Sequence, residues 1–174
     1  MKVIGLNEEL LYVVDESGKN VIQEIEDLLK KGADITYNDG INDVLMIAVF
    51  HDEEGMVDYL LEKGADPSFV ATDGNNALLE CMEGHRNINI MKKLVKAGSI
   101  LNIKATNSKY ATTRTLLTKI DHMLQQNYSS FTAKFIQNEC DEILDFFQEY
   151  YDQLSKEDQK IIQKYRLRRM FKTN

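Results

Sequence analysis

The sequence predicts an all-α fold in which pairs of helices repeat along the chain and further helices cover the carboxyl end. The 174 residues include one proline and nine glycines, too few for many strand-to-strand turns. A short motif recurs at nearly constant intervals, and the apolar residues between its copies follow helical spacing. With 43% hydrophobic residues, the chain can bury the core of one domain.

The recurring motif is Leu-Leu-x-Lys-Gly-Ala-Asp. It occurs at residues 28–34 and 60–66, and in a weaker form at 94–100. Its glycines, Gly32, Gly64 and Gly98, are therefore 32 and 34 residues apart. A spacing this regular is typical of repeat proteins.

An Asp-Gly pair marks the same period. It occurs at residues 39–40 and, 34 residues later, at 73–74, and an Asn-Ser pair stands at 107–108. Because two independent markers keep one phase, the sequence predicts a repeated structural unit.

Apolar stripes with helical spacing precede each glycine. The first contains Val21, Ile25, Leu28 and Leu29, the second Val57, Leu60 and Leu61, and the third Ile90, Met91, Leu94 and Val95. Each stripe ends at a glycine, which can adopt the left-handed conformation that ends many helices. Each unit should therefore contain a short helix, a longer helix, a glycine stop and an extended loop that ends in a turn.

This unit resembles the ankyrin repeat, which has a period of about 33 residues, a turn and two helices, and a T-P-L-H-x-A signature. The Leu-Leu-x-x-Gly-Ala-Asp segments and the Asp-Gly tips carry the resemblance, which extends from Val21 to Lys104. The first-helix signature is poor, because residues 76–81 share only Leu78 with it, and residues 42–48 fit only with one inserted residue. We therefore expect a divergent family member with irregular first helices.

The predicted ankyrin-like repeats occupy residues 1–127. Their units lie at about 5–38, 39–72 and 73–106, with a degenerate fourth unit from 107. Residues 128–174 are predicted to be capping helices of the same domain. The reason is that a solenoid exposes the apolar face of its last unit unless something covers it.

The tail is predicted to contain three helices. They are a short helix at Thr112–Leu124, a long helix at Phe131–Tyr151 and a last helix that Ser155 begins. The inner side of the long helix should carry Phe135, Ile136, Cys140, Ile143, Leu144, Phe147 and Tyr151. Ser155 and Asp158 have the spacing of a capping box in which Asp replaces the usual Glu.

The chain is acidic, with 21 Lys and Arg against 28 Asp and Glu, a formal charge of -7 and a pI near 5.0. This argues against nucleic acid as the main partner, because phosphate binding needs clustered cations, and it favours a basic protein partner. The sequence has neither the apolar core of a signal peptide nor the ~20 apolar residues of a membrane span. We therefore expect a cytoplasmic monomer with no membrane partner, while secretion by a signal-peptide-independent route stays open.

Cys81 and Cys140 are predicted to be buried free thiols, because neither belongs to a CxxC pair and both lie in helical stretches. Cys81 and His85 are four residues apart and could supply two metal ligands on one helix face. Gly84 between them, and the lack of a second ligand pair, favour a core thiol beside a turn histidine instead.

No catalytic motif accompanies the three histidines, which are His51, His85 and His122. The carboxylates of residues 52–54 lack the spacing of an EF-hand loop and are interpreted as a solvated turn. We therefore predict no enzyme activity, no catalytic residue, no cofactor and no metal. The rival hypothesis is a metal-dependent enzyme built around Cys81, His85 and the acidic residues, which stoichiometric metal in the purified protein would support.

A basic cluster lies near the carboxyl end of the sequence. It comprises Lys164, Arg166, Arg168, Arg169 and Lys172, interleaved with Tyr165, Leu167, Met170 and Phe171. The cluster could contact a partner or nucleic acid. The favoured interpretation is that its cations complement the dipole at a helix carboxyl end, while the apolar residues pack on the preceding helix.

The resemblance implies a binding groove on the concave side of the repeats, formed by the hairpin tips and the exposed side of the short helices. Mapped by position, the tips are residues 37–42, 70–76 and 105–109. The predicted partner-binding residues are Tyr37, Asp39, Ile41, Asp43, Ile47, Phe50, His51, Asp73, Asn75, Glu80, Glu83 and Tyr110. Apolar residues at the tips are candidate anchors, because interfaces favour them, although Ile41 and Phe69 could instead pack along the stacked hairpins.

These observations predict a non-enzymatic protein–protein interaction module that binds a basic partner through this groove. Two narrower hypotheses also fit. One is an immunity or inhibitor protein that neutralises a toxin or nuclease by charge complementarity. The other is an effector or adaptor that acts in another cell, and the sequence does not rank the two.

Overall fold

The computed structural model describes residues 5–16, 18, 20–107, 112–126 and 129–172. The chain divides into two compact units, Met1–Ile100 and Leu101–Asn174, which we call unit 1 and unit 2. The sequence-based division at residue 127, with both parts in one domain, stays a prediction.

The described part of unit 1 contains six helices in three pairs. They are α1 (Leu6–Glu16), α2 (Val21–Lys30), α3 (Val44–Phe50), α4 (Glu54–Glu62), α5 (Ala77–Glu83) and α6 (Ile88–Ala97). Within each pair the two helices pack together, α3 also packs on α1 and α5, and α4 packs on α6. The first helices of the three pairs therefore form one row, and the second helices form another. This arrangement confirms the predicted helical repeat fold.

Glycines lie just past α2, α4 and α6, as predicted. Gly32, Gly64 and Gly98 have φ angles of 100°, 93° and 109°, a region that favours glycine. In each case the following residue donates its backbone N–H to the carbonyl four residues before the glycine. These bonds join Ala33 to Leu28, Ala65 to Leu60 and Ser99 to Leu94, all at 3.0 Å. The same closure of the helix end is thus repeated three times.

The first helices of the second and third repeats begin at equivalent side-chain caps. Asp43 Oδ1 accepts the Met46 N–H at 2.7 Å, and Asn76 Oδ1 accepts the Leu79 N–H at 2.8 Å. Both cap side chains are buried. The two helices, α3 and α5, are seven residues long each. A buried polar cap therefore replaces the ankyrin-like signature at these positions.

The core of unit 1 is formed by one stripe of each helix. Ile25, Leu60 and Leu94 are inaccessible to solvent. Leu61, which the repeat motif also predicts to be a core residue, is only half-buried, so that prediction is wrong. Consecutive residues are about 100° apart around a helix, and only Leu60 points directly at the core.

Unit 2 contains a short antiparallel strand pair, β1 (Ala105–Asn107) and β2 (Thr112–Arg114), in which Ala105 lies opposite Arg114. The helix predicted at 112–124 therefore begins later than expected, and α7 spans Thr118–Gln125. Threonines are β-branched and favour extended backbone, which explains why β2 is not helical. Apart from this strand pair and an isolated bridge between Asn38 and Asp43, the regular elements of the described residues are helical, as predicted.

The long helix α8 spans Ser130–Gln148, and a 3-10 turn at Tyr151–Gln153 leads to α9 at Lys156–Lys172. The buried residues of α8 are Cys140, Ile143, Leu144 and Phe147, while Ile136 and Tyr151 are half-buried. Phe135 is 68% exposed, so its predicted inward position is wrong. In the described part of α8, the buried residues are concentrated in the carboxyl-terminal half. The apolar stripe predicted from the sequence therefore extends beyond the part of the helix that packs against other residues.

Asp158 ties the start of α9 to the start of α7. Its Oδ1 accepts the Thr115 hydroxyl and the Leu117 N–H, both at 2.7 Å, and its Oδ2 accepts the Ser155 hydroxyl at 2.8 Å. The Asp158 N–H in turn donates to Ser155 Oγ at 3.0 Å, as in the predicted capping box. Burial raises the pKa of Asp158, and these donors oppose that shift. The carboxylate therefore has a structural role in unit 2.

Candidate functional site

A cleft of about 510 Å³ lies along the exposed side of the first helices in unit 1. It is lined by Leu11, Tyr12, Asp15, Asp39, Asn42, Met46, Ile47, Phe50 and Glu80, and we call it the first-helix cleft. A neighbouring cleft of about 410 Å³ is lined by His51, Glu83, Gly84 and His85 together with Phe50 and Glu80. The two clefts therefore meet at Phe50 and Glu80.

Helical periodicity positions the lining residues of α3 and α5. The buried side of these helices contains Leu45, Ala48, Val49, Leu78, Leu79 and Met82. Ile47 and Phe50 lie away from that side in α3, and Glu80 and Glu83 occupy the equivalent positions 33 residues later in α5. The repeat thus brings an apolar pair and an acidic pair to the same face.

Two aromatic rings stand in the first-helix cleft with most of their surface in solvent. Tyr12 is 55% exposed and Phe50 is 62% exposed. The Phe50 ring packs edge-on against His51 with 5.2 Å between the ring centroids, and the Tyr12 hydroxyl donates to the Glu16 carboxylate. Exposed aromatic rings beside apolar residues are typical of interface anchors.

Two of the three carboxylates in this cleft are bound to neutral donors or to histidine. Asp15 Oδ1 lies 3.0 Å from His51 Nε2. Asp39 Oδ1 accepts the backbone N–H groups of Ile41 and Asn42 at 2.8 and 2.7 Å. Among the described residues, no Lys or Arg lies within salt-bridge distance of either carboxylate.

The third carboxylate, Glu80, is held by a buried amide. Asn75 is 8% exposed, and its Nδ2 donates to Glu80 Oε2 at 2.8 Å. The Asn75 backbone is fixed as well, since its N–H donates to Asp73 Oδ1 and its carbonyl accepts the Ala71 N–H. Glu80 likewise has no Lys or Arg at salt-bridge distance in the described part of the chain. It presents a negative charge in an already ordered position.

The structure brings together six of the predicted partner-binding residues. Asp39, Ile47, Phe50 and Glu80 line the first-helix cleft, and His51 and Glu83 line the neighbouring cleft. Tyr37 is half-buried, while Ile41 and Asp73 are exposed, and none of the three lines either cleft. Tyr110 lies outside the described residues.

The predicted contact role of Asp43 and Asn75 needs correction, because both side chains are buried. Burial raises the pKa of Asp43 to about 6, against the opposing effect of the Met46 N–H that it accepts. Its carboxyl group caps α3, and the Asn75 amide holds Glu80. Both residues therefore act beneath the exposed surface.

Sequence reasoning missed Tyr12 and Asp15. No copy of the repeat motif marks the first helix of the first unit, so no groove position was assigned there. The signal that could have found them is helical spacing, because Leu10, Leu11 and Val14 form the buried side of α1 and leave Tyr12 and Asp15 exposed.

Both cysteines are buried free thiols, as predicted. Cys81 Sγ donates to the Asn87 carbonyl at 3.5 Å, and burial raises the pKa of this thiol to about 12. His85, its suggested partner ligand, is exposed. Among the described residues, no group of three or more His, Cys, Asp or Glu side chains is arranged to hold a metal ion.

The carboxyl-terminal basic cluster is partly used inside unit 2. Lys164 pairs with Asp121 of α7, and the Tyr165 hydroxyl donates to Asp121 Oδ1 at 2.9 Å. Tyr165 is buried, as expected for a packing residue, whereas Leu167 is exposed, so its predicted docking on the preceding helix is wrong. The side chains of residues 169–172 lie outside the described part of the structure.

Residues 42–71 match the family model of the ankyrin repeat. This segment runs from the tip before α3 through α4 to the next tip. This match identifies an ankyrin repeat within the chain and supports its assignment to the ankyrin-repeat family. Ankyrin repeats are generally protein–protein interaction modules and are typically non-enzymatic. No curated protein shows significant similarity to the chain.

In the part of the chain that the structure describes, every helix is too short or too polar to cross a lipid bilayer.

Proposed function

We propose that this ankyrin-repeat chain binds a basic protein partner through the first-helix cleft, without catalysing a reaction. One observation carries the proposal. Three carboxylates of the second helices, Glu26, Glu54 and Asp58, pair with lysines, whereas the carboxylates of the cleft have no Lys or Arg partner among the described residues.

The three paired carboxylates lie on the second helices, on what we call the second-helix face. Lys63 Nζ lies 3.3 Å from Glu26 Oε1, which connects α4 to α2. Lys93 Nζ lies 3.0 Å from Glu54 Oε1 and also contacts Asp58, which connects α6 to α4. These pairs join successive repeats and give each of the three carboxylates a lysine partner within the fold.

The charge of the chain is concentrated in unit 1. Residues 1–100 contain 9 Lys and Arg against 19 Asp and Glu, a formal charge of -10, whereas residues 101–174 contain 12 against 9, a formal charge of +3. A cleft with carboxylates inside a strongly acidic unit attracts cationic surfaces and repels acidic ones. Charge complementarity of this kind speeds association and selects partners.

The cleft also has the apolar surface that a stable contact requires. Leu11, Met46 and Ile47 line it together with the exposed rings of Tyr12 and Phe50. Interfaces combine such apolar or aromatic centres with a polar rim, and the central anchors supply most of the binding free energy.

Affinity capture from the native source tests this proposal. The tagged chain is compared with a Tyr12→Ala/Phe50→Ala variant and with Ile22→Ala, an exposed apolar residue of α2 that serves as the matched control. We expect the wild type and the control to retain the same basic protein, and the cleft variant to lose it by about tenfold or more, since a central aromatic anchor is worth ~2 kcal/mol or more.

Salt provides the second readout, because rim charges mainly govern association rate and ionic-strength dependence. Raising the salt concentration should weaken capture by the wild type. Capture of the same protein by the cleft variant at full yield, or a captured protein that is acidic, would contradict the proposal.

A further inference from the structure

We infer that the first-helix cleft is a site for one arginine side chain of the partner, seated between the Phe50 ring and the Glu80 carboxylate. This inference rests on the proposed function and narrows it from a basic surface to one chemical group. Phe50 and Glu80 are the two residues that line both clefts, so an inserted side chain meets both of them.

The shape and chemistry of the cleft match the three parts of an arginine side chain. Ile47, which is half-buried at the cleft, offers an apolar surface for its methylene stem. The exposed ring of Phe50 offers a face on which a planar guanidinium stacks. Glu80 offers a carboxylate, with which a guanidinium forms two parallel hydrogen bonds.

Glu80 is ordered before any partner arrives. The Asn75 amide donates one hydrogen bond to Oε2, which leaves that oxygen a second acceptor site, and no described group donates to Oε1. The Asn75 side-chain oxygen is itself buried and without a hydrogen-bond partner among the described residues, which is an unfavourable arrangement in a folded protein. The bond from Asn75 therefore gives the site a fixed carboxylate that loses little entropy on binding.

Other occupants fit the cleft less well. An acidic or phosphorylated side chain would face Asp15, Asp39 and Glu80. A purely apolar side chain would bury these carboxylates without a partner, which is unfavourable. Lysine supplies the charge, but it has neither the plane that stacks on Phe50 nor the paired donors that match Glu80.

A peptide selection on the complete chain tests the inference. A random 12-residue peptide library displayed on phage is selected against the wild type, and peptides are kept when the Phe50→Ala variant no longer binds them. We expect the kept peptides to share an arginine at a fixed place. Replacing that arginine by citrulline, which has nearly the same shape but no charge, should weaken binding about tenfold to a hundredfold by calorimetry.

The variant Glu80→Gln localises the effect on the chain. In this variant, the ratio of the affinities for the arginine and citrulline peptides should fall to nearly one. Glu62 is an exposed carboxylate of α4, and Glu62→Gln should leave the ratio unchanged. Circular dichroism checks that both variants remain folded. Because citrulline changes only the peptide, the arginine preference is measured on the unmodified chain whatever the variants do.

The two proposals fail in different ways. Peptides that depend on Phe50 but share no arginine, or that tolerate citrulline without loss, overturn the arginine site and leave the cleft as a binding surface. Peptides that bind the Phe50→Ala and Tyr12→Ala/Phe50→Ala variants as well as the wild type overturn both.

Discussion

The two faces of unit 1 are built by the same repeat, yet their carboxylates have different partners. On the second-helix face, Glu26, Glu54 and Asp58 pair with lysines of the next helix. In the first-helix cleft, Asp15 and Glu80 meet only histidine or amide groups in the described chain. These three carboxylates are therefore paired within the fold, whereas the carboxylates of the cleft are left available to a cation from another molecule.

The largest expected effect concerns the core that supports both faces. Leu60→Ala should lower the free energy of unfolding by ~2–5 kcal/mol, because Leu60 is inaccessible to solvent. Leu61→Ala, at the next and half-buried position, should have a smaller effect, and Phe50→Ala in the cleft should stay within about 0.5 kcal/mol of the wild type. Urea denaturation measures all three. Equal losses at Leu60 and Leu61 would show that the orientation of α4 is wrong.

The second effect lies beneath the cleft, at the cap of α3. The folded pKa of Asp43 is about 6 and lies above the ordinary value of about 3.9, so the folded state binds more protons between about pH 4 and pH 6. The contribution of Asp43 to the free energy of unfolding should therefore fall as the pH rises through that window. Asp43→Asn, which keeps an oxygen acceptor for the Met46 N–H, should be more stable than the wild type at pH 7 by about 1–3 kcal/mol. The advantage should disappear near pH 4.

The equivalent cap of the third repeat provides the matched control. Asn76 already carries an amide at this position and is fully buried. Asn76→Asp should lower the free energy of unfolding. This loss should grow as the pH rises through the range in which a buried carboxyl group loses its proton. Thermal unfolding at several pH values measures both variants, and a pH-independent difference between wild type and Asp43→Asn would contradict the role given to burial.

The smallest expected effect distinguishes the carboxylates of the two faces. Glu54→Gln removes a partner of Lys93 and should lower the free energy of unfolding by at most ~1 kcal/mol, because the pair is partly exposed. Glu80→Gln should cause no loss at low salt, since it removes a charge that no cation balances. Adding salt should reduce the loss of stability that Glu54→Gln causes. A comparable loss at Glu80 would mean that its charge is already neutralised within the fold.

The parts of the fold that the sequence predicts well are those governed by local rules. Gly32, Gly64 and Gly98 end helices because only glycine adopts their backbone conformation easily, and helical spacing identifies the buried stripes. The start of α7 and the exposure of Phe135 depend on which surfaces find a packing partner in unit 2. Helical spacing alone contains no information about that partner.

The candidate site was predictable where the repeat register applies. Ile47, Phe50, Glu80 and Glu83 follow from mapping equivalent positions of α3 and α5. The partner-binding role predicted for Asp43 is wrong, because an aspartate that caps a helix cannot be distinguished in sequence from an aspartate exposed at a hairpin tip. Asn75 and Glu80 are five residues apart in a loop and a helix, so only the three-dimensional structure reveals the hydrogen bond between them.

Site-specific photo-crosslinking tests whether the first-helix cleft binds a basic protein, and it does not require the partner to be known. The photoreactive amino acid p-benzoylphenylalanine is placed at Ile47 in the first-helix cleft or at Ile22 on α2, and the protein is irradiated in an extract of its native source. We expect a covalent adduct with a basic protein from position 47 and none from position 22. An adduct from position 22 alone, or an adduct from position 47 that persists when Tyr12 and Phe50 are both alanine, would contradict this expectation.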